Sequence, residues 1–360
     1  MRRTIYKSSQ QKALEVLESV DVIHLATTDS QGRPLIRALH PIIVDGFLAF
    51  HSALKGEKTE AIGREVVVSA VEPVVTIPST FFDPVMACPA TTYYRSAQLS
   101  GPLEEVTSTD EKAIILSALM ERYQPSGGYA PIDPSCPRYA KSLRGVLVFK
   151  VSLSNLVGKV KMGQNKTPAQ RQMLLENLWK RGEPADLRAI GLIMTENPDT
   201  PTPAFLSTHN PELELVCHLD SEDDLAAASQ LLTNAYWRQG SSIRAIQESL
   251  VASQALVGVR HVPSGQLVGV ARACGDNRHT VWLYDVYLER KWRGQGIGAA
   301  MVGLLLAHPA VRGARLIRLA TRDAVGFYQG LGFQTNDNLP RKPWPIVEMG
   351  RYAGPEALTK

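Results

Sequence analysis

The sequence lacks any apolar run approaching the roughly 18 residues that a membrane-spanning helix requires. Its basic start (Arg2, Arg3, Lys7) leads into Gln11 to Val20, where Lys12, Glu15 and Glu18 interrupt what would have to be a signal-like apolar core. That stretch reads instead as an amphipathic helix. Cysteine is scarce: Cys88, Cys136, Cys217 and Cys274 are scattered and form no C-x-x-C pair. This argues against a disulfide framework or a zinc site, predicts no metal, and points to a reducing cytoplasm. Internal repeats, low-complexity tracts, helix-turn-helix patterns and zinc fingers are also missing. With 39 basic against 35 acidic residues, the formal charge is only +4. From Arg144 to Leu175 the chain carries Lys150, Lys159, Lys161, Lys166 and Arg171 without an acidic residue. Such a run could meet phosphates, but a solvated basic edge is its default reading, and nucleic acid is not the expected partner.

What remains is 360 residues of ordinary globular composition, 44% hydrophobic and 21% charged, enough for two full cores. Pro198, Pro201, Pro203 and Pro211, set among Asn, Asp and Thr, can continue neither a helix nor a central strand. The division predicted is a first domain over 1–197, a proline-rich linker over 198–211 and a second domain over 212–360. Before the boundary, apolar segments are short and punctuated by turns. Strands are predicted at Val22 to Thr28, Pro34 to Val44, Phe47 to His51, Val66 to Val71, Thr91 to Val106 and Gly145 to Val160. Asp45-Gly46 is a two-residue hairpin signal. Helices are predicted at Thr109 to Gln124 and Pro168 to Arg181, and the many strands suggest a small antiparallel barrel.

The segment Arg293-Gly294-Gln295-Gly296-Ile297-Gly298 follows a strand-like run, Val281 to Leu288, and opens an apolar helix-like run, Ala299 to Ala307. A helix start offers unpaired N–H groups and partial positive charge, the glycines allow close approach of a diphosphate, and Arg293 adds charge. Downstream, Arg315 to Thr321 reads as a short buried strand and Asp323 to Phe333 as a helix closed by glycine. Together the R-x-x-G-x-G loop and the A-x-x-F-Y-x-x-x-G-F stretch resemble the GNAT superfamily of acetyl-CoA-dependent N-acetyltransferases, over roughly residues 212–350. The resemblance implies acetyl-CoA held by Val286, Tyr287, Leu288, Arg293, Gly294, Gln295, Gly296, Ile297, Gly298 and Ala299. It implies a backbone N–H near Leu288 that holds the thioester carbonyl, and Tyr328 as general acid to the leaving thiolate. The base stays open between Asp285, Tyr284 and a water chain. Alternation places Asp285 and Tyr284 on opposite faces, with Tyr284 sharing the parity of Val286 and Leu288. Helices near Asp223 to Trp237 and Ser242 to Ser253 would shape the acceptor pocket.

The first half resembles the FMN-binding split-barrel group related to pyridoxamine-phosphate oxidase, nearest to nitroimidazole-resistance and PaiB-like proteins. The matching pieces are LATTDSQGRP, FHSALKGEK at Phe50 to Lys58, TTYYRSAQLSG at Thr91 to Gly101 and GKVKMGQNK at Gly158 to Lys166. The resemblance implies FMN held by Arg37, Ala38, Leu39 and His40, by His51, Ser52 and Lys58 at the phosphate, and by Tyr94 and Arg95 from across a homodimer. Fewer arginines surround the phosphate than in ordinary oxidase members, so Lys55 and Lys58 would substitute. Some relatives bind haem through a histidine, which keeps His24, His40 and His51 open as alternatives.

The fold class expected is thus a two-domain α+β chain: an N-terminal antiparallel split β-barrel and a C-terminal GNAT mixed α/β sheet. The activity expected is acetyl transfer to a small amine, joined to a flavin domain, in detoxification or polyamine or antibiotic modification. The alternative is a flavin- or haem-binding oxidoreductase or redox-sensing regulator with an accessory acetyltransferase.

Overall fold

A computed structural model of the chain describes residues 4–54 and 57–335. Lys55, and residues 336–360 of the expected second domain, lie outside the described residues. The chain divides into two compact units, one formed by 1–209 with 216–220, the other by 210–215 with 221 onward.

The first unit contains strands β1 (Lys7–Ser8), β2 (Ile23–Thr28), β3 (Pro34–Leu39), β4 (Ile42–Val44), β5 (Phe47–Ala53), β6 (Glu65–Ile77), β7 (Thr91–Pro102), β8 (Glu104–Glu105), β9 (Val146–Ser152) and β10 (Val157–Lys161). Its helices are α1 (Gln10–Ser19), α2 (Thr109–Tyr123), α3 (Pro137–Arg144), α4 (Pro168–Arg181) and α5 (Pro184–Glu196). The strands form a six-stranded sheet, β1-β10-β7-β6-β2-β3, and a four-stranded sheet, β4-β5-β9-β8. Their ladders are antiparallel. Between them lies a core of fully buried side chains that includes Leu25, Leu48, Phe50, Val68, Leu99, Phe149 and Val151. Phe50 and Phe149 sit directly opposite on β5 and β9 with ring centroids 5.6 Å apart.

Local sequence explains much of this. Asp45 and Gly46 take φ of 49° and 80°, the left-handed pair that joins β4 to β5 in a tight hairpin. Asp29 Oδ1 accepts from the N–H of Gln31 and Arg33, both at 2.9 Å, and closes the β2–β3 turn. Pro73 interrupts β6, and the register shifts between Pro73 and Val75, so a bulge absorbs the missing N–H. Gly158 lets α1 approach β10: a Cβ there would meet Ser8 Oγ at 2.0 Å and Ala13 Cβ at 2.8 Å.

Several elements differ from the sequence reading. The strand expected over Pro34 to Val44 breaks at His40-Pro41, because the residue before proline and the proline itself leave the ladder. Gly145 to Val160 is two strands separated by a short 3-10 turn at Leu153–Asn155. Helix α5 was not anticipated; Pro184 occupies its first turn, and Arg181 Nε and Nη2 grip the buried Asp186 at 2.9 and 2.5 Å. Arg171, expected on a solvated edge, is buried: it donates to Thr200 Oγ1 at 2.7 Å and pairs with Asp199 at 2.6 Å. The proline-rich stretch packs as well, with Phe205 stacked on Trp179 at 4.7 Å and Leu206 buried.

The second unit is built on β11 (Leu213–Val216), β12 (Ala255–His261), β13 (Leu267–Gly275), β14 (Thr280–Leu288) and β15 (Leu316–Arg318), in that order across one sheet. Its helices are α6 (Glu222–Leu232), α7 (Ile243–Val251), α8 (Ile297–Ala307) and α9 (Val325–Gln329). β12–β13 and β13–β14 are antiparallel and β14–β15 is parallel, so the sheet is mixed. Gly269 allows Leu288, Val259 and Met301 of α8 to converge on β13; a Cβ would lie 2.9 to 3.3 Å from them. The expected helix over Asp223 to Trp237 ends at Leu232 and is followed by a 3-10 turn, Tyr236–Arg238. α9 is shorter than the predicted Asp323 to Phe333, and β15 shorter than Arg315 to Thr321. Among the described residues, no helix is long and apolar enough to cross a membrane.

Candidate functional site

Strand β14 sets the geometry of the second unit. Parallel pairing with β15 is confined to Thr280, Val281 and Trp282. β15 ends at Arg318, opposite Trp282, and a cleft of about 720 Å³ lies beside Val286, Tyr287 and Leu288 further along β14. Its other walls come from Asn234 to Trp237, from Arg293, Gly294, Gly296, Gly298 and Ala299, and from Arg322 to Ala324 with Phe327 and Tyr328, whereas Gln295 and Ile297 do not line it.

The Gly-rich turn closes one end. Gly294 and Gly296 take φ of 75° and 73°, and left-handed Gly296 is the N-cap of α8 with no side-chain cap. The first intrahelical bond is Ala300 N–H to Gly296 O at 3.1 Å, so the amides of Ile297, Gly298 and Ala299 head the helix. Arg293 Nε donates to Leu288 O at 2.8 Å, and its guanidinium lies 5.6 Å from the Tyr287 ring. Gln295 donates to Lys291 O at 3.1 Å. Helix-head amides, a tethered arginine and glycines that permit close approach suit a diphosphate.

Tyr328 projects from α9 into the cleft, packed edge-on against Phe327 and Phe333 at 5.0 and 5.8 Å. Burial, with a smaller contribution from Tyr236, pushes its hydroxyl up to about 12, so it keeps its proton throughout the neutral range.

Asp285 and Tyr284 are placed differently from Tyr328. Neither lines the cleft. Asp285 is buried at φ 51° and accepts from Trp237 Nε1 at 2.9 Å, Arg238 Nε at 2.8 Å and Arg272 Nε at 2.5 Å, with a further bond from Arg238 Nη2. Burial alone would raise its carboxyl, but the two guanidiniums outweigh that and hold it below the usual carboxylate range. A carboxylate so engaged accepts protons poorly. Tyr284 is 41% exposed with Arg272 stacked 4.7 Å over its ring. The expected parity of Tyr284 with Val286 and Leu288 does not hold. Tyr284 pairs with Arg272 and Tyr287 with Val270, so the bulge at Asp285 inserts one residue and moves Tyr284 onto the face of Tyr287. No motif in the sequence marked Trp237, Arg238 or Arg272, because their links to Asp285 span 13 to 48 positions.

In the first unit the candidates form two groups. His51 has both His40 and Lys58 as neighbours: burial first, then the charges of His40 and Lys58, lower its imidazole below its ordinary range. Ser52 follows His51 on β5, and Arg37 to Leu39 lie on β3. His40 Nδ1 contacts Asp21 O at 3.2 Å and its ring meets Tyr123 edge-on at 5.3 Å. An imidazole depressed by neighbouring basic groups is what a phosphate would relieve. Tyr94 and Arg95 stand on β7, separated from β3 by β6 and β2. They point to opposite faces: Arg95 is held by Glu72 at 2.6 Å, while Tyr94 meets Lys159. His24 stands exposed on β2. Among the described residues, no three His, Cys, Asp or Glu side chains gather to hold a metal ion.

Residues 9–160 match the family model for pyridoxamine 5'-phosphate oxidase, and residues 248–335 match that for the GNAT acetyltransferase domain. The chain therefore carries a pyridoxamine-phosphate-oxidase-like domain at its N-terminal end and a GNAT domain at its C-terminal end. Over 72 residues it is 36% identical to GCN5-related N-acetyltransferase 2, chloroplastic, of Arabidopsis thaliana, a match covering 20% of this chain and 28% of that one. Over 113 residues it is 30% identical to an uncharacterized ycf52-like N-acetyltransferase of Prochlorococcus marinus, covering 31% and 62%. The chain thus spans less than two thirds of these relatives. An FAD- and haem-binding protein of Mycobacterium smegmatis shares 20% identity with TM-score 0.37, over 43% of this chain and 73% of that one.

Proposed function

From a GNAT domain carried behind a pyridoxamine-phosphate-oxidase-like domain, we infer that the protein transfers an acetyl group from acetyl-CoA to a small amine and that its first unit binds FMN. The observation that carries the first part is the uncapped, left-handed glycine head of α8 opening onto the cleft. The diphosphate would take the amides of Ile297, Gly298 and Ala299, and the thioester would lie along β14 near Leu288. An amide fixed there before reaction stabilises charge developing on the carbonyl oxygen.

Tyr328 then serves the departing sulfur. Its hydroxyl, pushed up to about 12, faces a thiol of ordinary acidity near 8.5, so complete proton transfer runs uphill by roughly 5 kcal/mol. The phenol therefore contributes chiefly a hydrogen bond that stabilises the thiolate as it leaves. With Asp285 saturated by arginine and indole donors, the ammonium proton of the acceptor leaves through water.

In the first unit, Lys58, His51 and Ser52 would hold the FMN phosphate. FMN supplies redox chemistry when bound. Haem is the second reading, favoured by the histidine pair His40 and His51. The proposed assembly is a homodimer, a reading supported by the outer face of the six-stranded sheet, where register puts the exposed Ile36, Val67, Val71 and Val157 on one side. Acetyl-CoA turnover across an amine panel tests the transferase. Absorbance after reconstitution tests the barrel, a flavin band near about 450 nm against a haem band near about 400 nm. Turnover of no amine would remove the transferase reading, and uptake of neither chromophore would remove the second.

A further inference from the structure

The cleft's acceptor side is built by a segment with little regular structure of its own. Tyr236–Arg238 is a single 3-10 turn between α6 and α7, and Trp237 stands in the cleft wall 43% exposed, 6.4 Å from Tyr287. Tyr236 donates to Asp323 Oδ1 at 3.3 Å and carries Arg322 over its ring, while the other two side chains of the turn are held by one carboxylate. Asp285 takes the indole N–H of Trp237 and two donors of Arg238, while Arg272 of β13 closes it from behind. Arg238 Nη2 also reaches Ser249 Oγ of α7 at 3.0 Å, and Arg272 Nη1 reaches Ser253 Oγ at 3.3 Å. The same residue is the left-handed bulge that sends Val286 to Leu288 into the cleft. Strand, acceptor wall and α7 therefore converge on one side chain.

We propose that Asp285 is a positioning residue for the acceptor: a buried latch that locks the Trp237–Arg238 turn to the bulge of β14 and so sets the distance between acceptor wall and thioester. This rests on the transferase reading for its kinetic consequence but not for its structural one. The Asp285 side chain touches neither the Gly-rich turn nor Tyr328, and where a replacement keeps the left-handed backbone that carries Val286 to Leu288, loss of the side chain should act on the amine and spare acetyl-CoA. A misplaced wall disturbs orientation, for which losses of about tenfold to a hundredfold are ordinary.

The test compares Asp285→Asn, which keeps shape and tolerance of positive φ, with Asp285→Gly, which relaxes the backbone but removes the latch. Expected for both is an acceptor KM raised about tenfold or more, with acetyl-CoA affinity by calorimetry within about twofold of wild type and an unchanged pH–rate profile. An unchanged acceptor KM with loss of the acidic limb of the profile would make Asp285 the base and overturn the latch. Wild-type KM in Asp285→Gly would also overturn it, because backbone conformation alone would then suffice. If Asp285→Asn does not fold, Arg238→Gln, which leaves the Asp285–Arg272 pair, must carry the same KM signature. Should the wild type acetylate no amine, the transferase reading fails on its own. The latch is then judged by acrylamide quenching of Trp237, isolated against Trp237→Phe: quenching increased in Asp285→Asn supports it, and quenching unchanged refutes it.

Discussion

At the scale of single residues, chemistry and support are carried by different side chains. Gly296→Glu places a carboxylate and a Cβ at a left-handed helix head, so calorimetry should find acetyl-CoA binding abolished in a folded protein. Tyr328→Phe should lower kcat by about a hundredfold while leaving acetyl-CoA affinity within about twofold, measured where chemistry limits turnover. Because burial pushes that phenol up to about 12, it is protonated at every pH below about 11. The kcat profile should therefore show no falling limb between about pH 7 and 10 that disappears in Tyr328→Phe. Tyr328 and the glycines could be singled out from sequence because local spacing marks them, and Tyr328, Gly294, Gly296 and Gly298 line one cleft. It could not disclose that Asp285 is saturated, because Trp237, Arg238 and Arg272 reach it from three distant parts of the chain.

At the scale of elements, close approach decides what can change. Gly158→Ala forces a Cβ into Ser8 Oγ and Ala13, and should destabilise the first unit by about 1–3 kcal/mol in urea melts. His51 gives the β3–β5 region a pH dependence with a definite sign. Its imidazole is held below its ordinary range, so the unfolded chain binds the proton more readily and stability is lost as pH falls through about 6.5. The melting temperature of flavin-free protein should fall from about pH 7 to 5, and FMN phosphate, by favouring the imidazolium, should reduce that fall. A melting temperature flat over this range would remove His51 from the argument. Strands β2, β5 and the Asp45-Gly46 hairpin were readable because alternation and turn residues act over a few positions. Helix α5 was not, because Pro184 looks like a breaker until its place in the first turn is known. The β14 bulge was equally hidden: an inserted residue reverses parity without altering composition.

At the scale of the whole molecule, the proline-rich stretch is packed rather than slack, since Phe205 and Leu206 are packed and Arg171 ties down 199–200. The division into units is also interleaved. Residues 216–220 belong to the first unit although 210–215 belong to the second. Within that short return, Cys217 and Leu219 are buried and Asp220 faces Arg188 at 3.7 Å. Overlapping fragments 1–220 and 210–360 should therefore each fold cooperatively in denaturant titrations, whereas 1–209 should melt earlier than 1–220. Equal stability of 1–209 and 1–220 would show that the return segment contributes nothing.

The interleaving bears on inheritance as well as folding. A gene exchange with one breakpoint can never hand over both units whole: a break after codon 220 delivers the first complete but strips 210–215 from the second, and a break before codon 210 delivers the second complete but strips 216–220 from the first. During synthesis, too, the ribosome finishes the first unit only after it has begun the second. Separating the two units without loss to either therefore requires that the eleven residues 210–220 be duplicated.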